Sequence, residues 1–459
     1  MRDLSIGKER KLIFQFAMPM LIGNVFQQLY NVVDSIVVGN YIGKTALAAV
    51  GASFPIMFTL LSLLIGVAIG STIVIAQYFG AKDINNVRKS IDTLFVFIFF
   101  ASLVITVVGI LLSKSIFRLI KLPEEALPLA ELYFDIYLAG TIFFFGFNGI
   151  SSVLRGLGDS KTPLYFLIIA TILNVILDLV FVLGFKWGVG GVALATVISQ
   201  FVALVLAIIY LNHYHEIVNL SWRKFMFDKV IFVKSLRIGS PIGLQQAFVA
   251  LGMVAMFWLV NRFGTDAAAA YSVAFRFDSF ASMPAMNFAS ALSTFVGQNL
   301  GANKPERIRR GLISTFYMTS VISLGISLLA ILFGEPIMRL FTHDAMVVEI
   351  GRSYMVIVTG FYIVFSTMFI VGAVMRGAGD TFIPMLITFI ALWVVRIPLC
   401  YFLSEHFGYI GLWWGIPIAW LVGLIFSYLY YLSGRWRRKA LVRLGAATGI
   451  PVHSKLGDQ

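Results

Sequence analysis

The sequence predicts an all-α polytopic membrane protein, with twelve transmembrane helices in two six-helix bundles related by a parallel pseudo-two-fold repeat. Three observations carry that expectation. The composition is 59% hydrophobic and only 12% charged over 459 residues, with a mean hydropathy of +0.91. Soluble domains carry about a quarter of their residues charged. Apolar runs long enough to cross a bilayer, about 20 residues each, recur twelve times, and the second six repeat motifs of the first at a constant offset.

The spans read, in order, 12–42, 53–79, 91–113, 129–154, 163–184 and 189–211, then 234–263, 268–299, 311–333, 346–375, 382–403 and 410–433. Glycine, proline and charged residues mark the joints, as they do at the ends of membrane helices. The chain therefore divides into an N-terminal bundle over 1–211, a basic linker over 212–233, a C-terminal bundle over 234–433 and a tail over 434–459. The tail is basic and then polar, and is expected to be loosely ordered.

A net charge of +13, from 35 basic and 22 acidic residues, suggests nucleic acid only until the basic residues are located. They gather at the N-terminus, after the even-numbered spans and in the tail. The opposite side holds Lys44, Lys114, Arg118, Lys121, Lys186, Arg262, Arg339 and Arg352. The positive-inside rule then puts both termini in the cytoplasm and the chain in the cytoplasmic (inner) cell membrane. Topology and attraction to anionic lipid account for the charge, so no nucleic-acid partner is expected. Cys400 is the single cysteine, which excludes an internal disulfide or a cysteine metal cluster. His213 and His215 fall too short of a zinc ligand set and read as a polar loop. The short basic start leads into a long span, so a cleavable signal is not expected.

The repeat is explicit. QYFGAK from Gln77 returns as QNLGAN from Gln298, and RGLGDSKTP from Arg155 returns as RGAGDTFIP from Arg376, each 221 residues later. An even number of spans per copy makes the repeats parallel, with a cleft between the bundles as the natural site. The two Arg-Gly-x-Gly-Asp turns place Arg155 with Asp159 and Arg376 with Asp380 at pairing distance, anchoring cytoplasmic reversals. Pro163 and Pro384 can open the helices that follow. A phosphate-binding alternative lacks the P-loop lysine and serine. Lys82–Lys89 and Lys304–Arg310 read as solvated corners.

Acids within the spans are the functional signal. Asn174 and Asp178 stand four apart on one helix face. Asp178 lies about 22 Å above the cytoplasmic end of its helix and Thr196 about 10 Å below the outer end of the next, at 1.5 Å per residue. Across a core of about 30 Å those depths coincide, and Asp34, about 13 Å from its outer turn, joins them. Two carboxylates, an amide and a hydroxyl suit a hard cation such as Na⁺; like-charge proximity also suits a proton. Alternatively, these residues bond between helices as packing glue. Gln27, Tyr30, Asn31 and Asp34 form a polar stripe on span one that could line a cavity, with Asn148 a further candidate. Pro19 removes a backbone bond and invites a gating bend. At the repeat offset the second copy has Ala255, Val395, Leu399 and Pro417 instead of the four site residues, and carries Arg276, Asp278 and Arg396 as a polar network.

These features resemble the MATE (multidrug and toxic compound extrusion) family, over residues 10–433. The marks are NVVDSIVVGNYIG at Asn31–Gly43, QYFGA and QNLGA, both RGxGD turns, and LNVILDLVFVLGF at Leu173–Phe185. The Asn174/Asp178 spacing, Thr196, and Pro19 ahead of Asp34 resemble the DinF-like branch. That resemblance implies H⁺ and/or Na⁺ coupling at Asp34, Asn174, Asp178 and Thr196, with Gln27, Tyr30 and Asn148 as cavity contacts. The expected function is a monomeric secondary antiporter that exports amphipathic, often cationic, small molecules by alternating access, with no cofactor beyond the coupling ion. A flippase of a lipid-linked precursor or oligosaccharide on the same scaffold is the alternative, and calls for a basic central cavity. No HExxH is present and no GxSxG has a partnering histidine, so an enzyme is not expected.

Overall fold

The computed structural model describes residues 2–120, 122–214 and 226–441. Lys121, His215, His453, part of the linker (215–225) and the end of the tail (442–459) lie outside the described residues. Six helical bodies build the first bundle: α1 (Glu9–Ile42), α2 (Lys44–Gly80), α3 (Ile84–Leu119), α4 (Leu127–Ala139 continuing as Thr141–Gly156), α5 (Lys161–Gly184) and α6 (Gly188–Tyr214). Six more build the second: α7 (Lys229–Asn261), α8 (Thr265–Gly301), α9 (Pro305–Arg339), α10 (Ala345–Thr359 continuing as Tyr362–Gly377), α11 (Phe382–Phe407) and α12 (Tyr409–Leu432). The order matches the predicted spans, and most helices outrun them. α2 begins at Lys44 rather than 53 because Gly43, at φ 115°, makes the entire joint. Gly264, at φ 90°, makes the equivalent joint between α7 and α8. Both backbones sit where a side chain would be strained.

One feature escaped the periodicity. α4 and α10 each bend by 47° at mid-length, at Gly140 and at Gly360–Phe361 respectively. α8, the predicted span 268–299, carries Asp266, Arg276 and Asp278 in its first half. Asp266 and Arg276 are exposed and Asp278 is partly buried, while the helix packs against α1, α2, α9 and α10 and is almost wholly buried from Ala285 to Gly301.

The bundles meet through small residues. A Cβ on Gly66 would lie 2.4 Å from the Gly239 carbonyl, and one on Gly70 2.6 Å from that of Ser235, so α2 and α7 cross backbone to backbone. Toward the face that bears Leu4 and Leu441, the repeat motifs form a reciprocal seal. Gln77 Nε2 donates to the Gly377 carbonyl at 3.0 Å, and Gln298 Nε2 donates to the Gly156 carbonyl at 2.9 Å. Each amide oxygen is taken by a chain end: Gln298 Oε1 accepts from the Leu4 N–H at 2.8 Å, and Gln77 Oε1 from the Leu441 N–H at 2.7 Å. The two glutamines are fully buried, and bonds of this kind are each worth about 1 kcal/mol net.

The tail therefore departs from expectation. Its first part is a turn of 3₁₀ helix, Arg435–Lys439, that buries Trp436 and delivers Leu441 to the seal. The corner at Lys304–Arg310 is also not merely solvated. Lys304 Nζ donates to the Ser5 carbonyl at 3.0 Å, while Arg307 bonds the Gly7 carbonyl at 2.7 Å and pairs with Glu9 at 3.3 Å. These contacts tie the N-terminal segment across the second bundle. On the other corner, Lys89 approaches Asp228 at 3.7 Å. Asp228 caps α7, and the Ile231 and Val230 N–H groups, with Lys89, hold its carboxyl below the ordinary range.

Candidate functional site

The predicted ion-site residues converge. Asp34 on α1 is 8% exposed, and Asn174 and Asp178 on α5 are 0% exposed. The two carboxyls are close enough to feel each other's charge. Asp34 Oδ1, both Asp178 oxygens and both amide atoms of Asn174 are buried without a hydrogen-bond donor or acceptor among the described residues. These atoms therefore make no interhelical hydrogen bond among the described residues. A mutually facing carboxylate pair is instead relieved by one proton or one cation between them. Thr196 on α6 closes the other side: its hydroxyl accepts from the Tyr30 hydroxyl at 2.8 Å and donates to the Val192 carbonyl at 3.1 Å.

Local helix geometry opens this space. Just past Asp34, α1 widens into a π-helical turn over Val38–Ile42, and just past Asp178, α5 does the same over Val180–Gly184. A π turn inserts a residue into the ladder and is common at functional sites. Sequence reasoning missed two further members. Tyr133 and Tyr137 on α4, with ring centroids 6.3 Å apart, are close enough to Asp34 to interact with it electrostatically. Their signal was legible as two tyrosines four residues apart in ELYFDIYLAG, which share a helix face.

A second polar region is a cavity of about 280 Å³ between the bundles. Pro19, Asn24 and Gln27 of α1, Thr72 of α2, Asn148, Ser151 and Arg155 of α4 and Gln200 of α6 line it from one side. Asn287, Ser293 and Thr294 of α8 and Arg376 of α10 line it from the other. Gln27 and Asn148 thus sit in the cavity as expected. Tyr30 does not; it faces Thr196. Asn31 lies further along α1, exposed, and donates to Gln28 at 3.2 Å. Pro19 lines the cavity inside a helix that runs unbroken from Glu9 to Val37.

The turn arginines are the main correction. Arg155 and Arg376 pair with no acid among the described residues. Asp159 is occupied with the Lys161 and Thr162 N–H groups and the Thr162 hydroxyl, and Asp380 accepts from the Tyr430 hydroxyl. Both arginines turn away from the chain-end face. Arg155 donates to Ser152 Oγ at 3.1 Å, one turn back along its helix, and Arg376 to the Phe369 carbonyl at 3.3 Å, two turns back. Long side chains on a helix point toward its N-terminus, which here means into the cavity.

In the second bundle the expected network is partial. Asp278 accepts from the Tyr362 hydroxyl and feels Arg396 electrostatically, but no ion pair forms. Arg396 Nε is buried without a partner. Arg276 is exposed and stands outside the cluster, because it is two residues from Asp278 and so faces another way.

The MatE family model matches residues 19–180 and again 241–402, one copy in each bundle. The chain belongs to the MatE family. This MatE transporter is 32% identical to the probable multidrug resistance protein YoeA of Bacillus subtilis (strain 168), over 94% of each chain. It is likewise 32% identical to the probable multidrug resistance protein YpnP of the same organism, covering 96% of this chain and 98% of that one. Among solved structures it is similar to an outward-facing MATE transporter of the MOP superfamily, with 25% identity and a TM-score of 0.88 over 95% and 98% of the chains. The twelve-helix, two-bundle MatE architecture is therefore that of a multidrug efflux transporter working by alternating access.

Proposed function

We propose that this MatE transporter exports amphipathic organic molecules in exchange for H⁺ or Na⁺, and that Asp34, Asn174, Asp178 and Thr196 bind the coupling ion. The observation that carries this reading is the set of unpartnered, buried oxygens on Asp34, Asp178 and Asn174. Tyr30 positions Thr196, and Gln27 and Asn148 contact cargo in the cavity. Pro19, where α1 passes between that cavity and α8, is the position at which the helix would bend as the ion site fills. The test is purified protein in liposomes loaded with an amphipathic dye. An imposed pH or Na⁺ gradient should accelerate dye movement about tenfold or more over the no-gradient rate, whereas indifference to both gradients would sink antiport. Tyr30→Phe, which removes one donor, should weaken apparent ion affinity about fivefold, the worth of one hydrogen bond of about 1 kcal/mol.

The chain is read as a monomer of the inner cell membrane with cytoplasmic termini. Cys400 is fully buried, so introduced cysteines report sidedness. In intact cells an impermeant maleimide should label Tyr41→Cys and spare Ile6→Cys, both of which are exposed positions; the reverse pattern would invert the topology. A lipid-linked cargo is the second reading, favoured by the basic residues at the cavity, Arg155 and Arg376.

A further inference from the structure

The cavity between the bundles has a polarity opposite to that expected for cationic cargo. Two arginines line it, no aspartate or glutamate does, and its other polar groups are amides and hydroxyls. Arg155 and Arg376 occupy equivalent positions in the two repeats, so one guanidinium comes from each bundle. Each makes one hydrogen bond among the described residues, to Ser152 or to Phe369, out of five N–H donors. An unneutralised guanidinium held within a membrane protein is costly and marks a substrate path. Their motif acids would have been the natural counter-ions, and both are bonded elsewhere.

We propose that this cavity takes the anionic group of an amphipathic organic anion, a phosphate or carboxylate held between Arg155 of one repeat and Arg376 of the other. The fork of an arginine matches both groups bidentately. Ser151 and Ser293, which line the same cavity, supply hydroxyl donors to the remaining oxygens. Because one arginine moves with each bundle, the anion bridges the two bodies whose rocking constitutes transport. Releasing it requires the arginines to separate, so cargo binding and bundle closure become one event. The proposal rests on the reading of this cavity as the transport site.

The experiment is equilibrium binding to purified full-length protein in phosphatidylcholine nanodiscs, without any gradient. The probes are matched: 1-naphthyl phosphate, neutral 1-naphthol and cationic 1-naphthylmethylamine. The phosphate should bind about tenfold or more tighter than the amine. Arg155→Gln and Arg376→Gln should each erase that preference, while Arg155→Lys and Arg376→Lys, which keep the charge, should restore part of it. Equal or tighter binding of the amine overturns the proposal, as does a preference for phosphate that survives both glutamine variants. If a glutamine variant fails to fold, the lysine pair decides alone: an unchanged bidentate preference in both counts against it. Exchanging part of the phosphatidylcholine for phosphatidylglycerol separates the sources. Displacement of the probe assigns the site to a lipid headgroup, and retention assigns it to a soluble anion. Binding without gradient-driven flux would leave this inference standing and defeat antiport instead.

Discussion

Asp178→Asn is expected to abolish gradient-driven efflux while leaving cargo binding in place. Asparagine fills the same volume, so the packing of α5 against α1 and α6 survives. It removes the charge that faces Asp34. What remains is one carboxyl beside an amide that can donate to it, so the like-charge repulsion that calls for a shared proton or cation is gone. The loss of flux should be on the order of 100-fold, the upper range of a coupling free energy between two sites. Asp34→Asn should do the same, and the double variant should be no worse than either single one, because residues acting as one unit are not additive. The readout is dye efflux from liposomes under imposed gradients, beside equilibrium binding of the same dye. Full gradient-driven flux in both single variants would remove the ion site from α1 and α5. Asn174→Ala should fall between, since it deletes one oxygen and no charge.

Gly80→Ala should open the chain-end face. A Cβ there would stand 2.0 Å from the Gln298 carbonyl oxygen, and the equivalent Cβ on Gly301 would stand 2.0 Å from that of Gln77. Both obstacles are backbone, so neither can swing aside. Overpacking of this kind costs about 1–3 kcal/mol, enough to shift a two-state ratio about 5- to 150-fold. Spin labels placed on the chain-end corners of α2 and α8 would report the change by pulsed distance measurement. The variant should populate a longer distance at that face without cargo or gradient. A wild-type distance distribution in both Gly80→Ala and Gly301→Ala would mean that the contact is not what holds the face shut.

Much of this architecture was legible because bilayer physics is blunt. Helix count, the parallel repeat and the convergence of Asp34, Asn174, Asp178 and Thr196 all follow from apolar length, rise per residue and the cost of buried acids. The bends at Gly140 and Gly360 were not, because glycine is common in membrane helices that stay straight. Nor was the direction of Arg155 and Arg376. Their spacing from Asp159 and Asp380 suggested pairing, and only the structure shows the acids taken by Thr162 and Tyr430. Tyr133 and Tyr137 were legible only by their four-residue spacing, a weak signal in a chain where most aromatics pack rather than serve a site. Gln77 and Gln298 marked the repeat in sequence, but nothing in a one-dimensional string says that each reaches the other bundle.

The acceptor that those glutamines offer to the chain ends has a bearing on biosynthesis. Gln298 Oε1 can be satisfied as soon as the second bundle meets Leu4, a residue made at the very start. Gln77 Oε1 must wait for Leu441, which is added 364 residues after it. The seal is therefore complete only once the segment bearing Leu441 has been made.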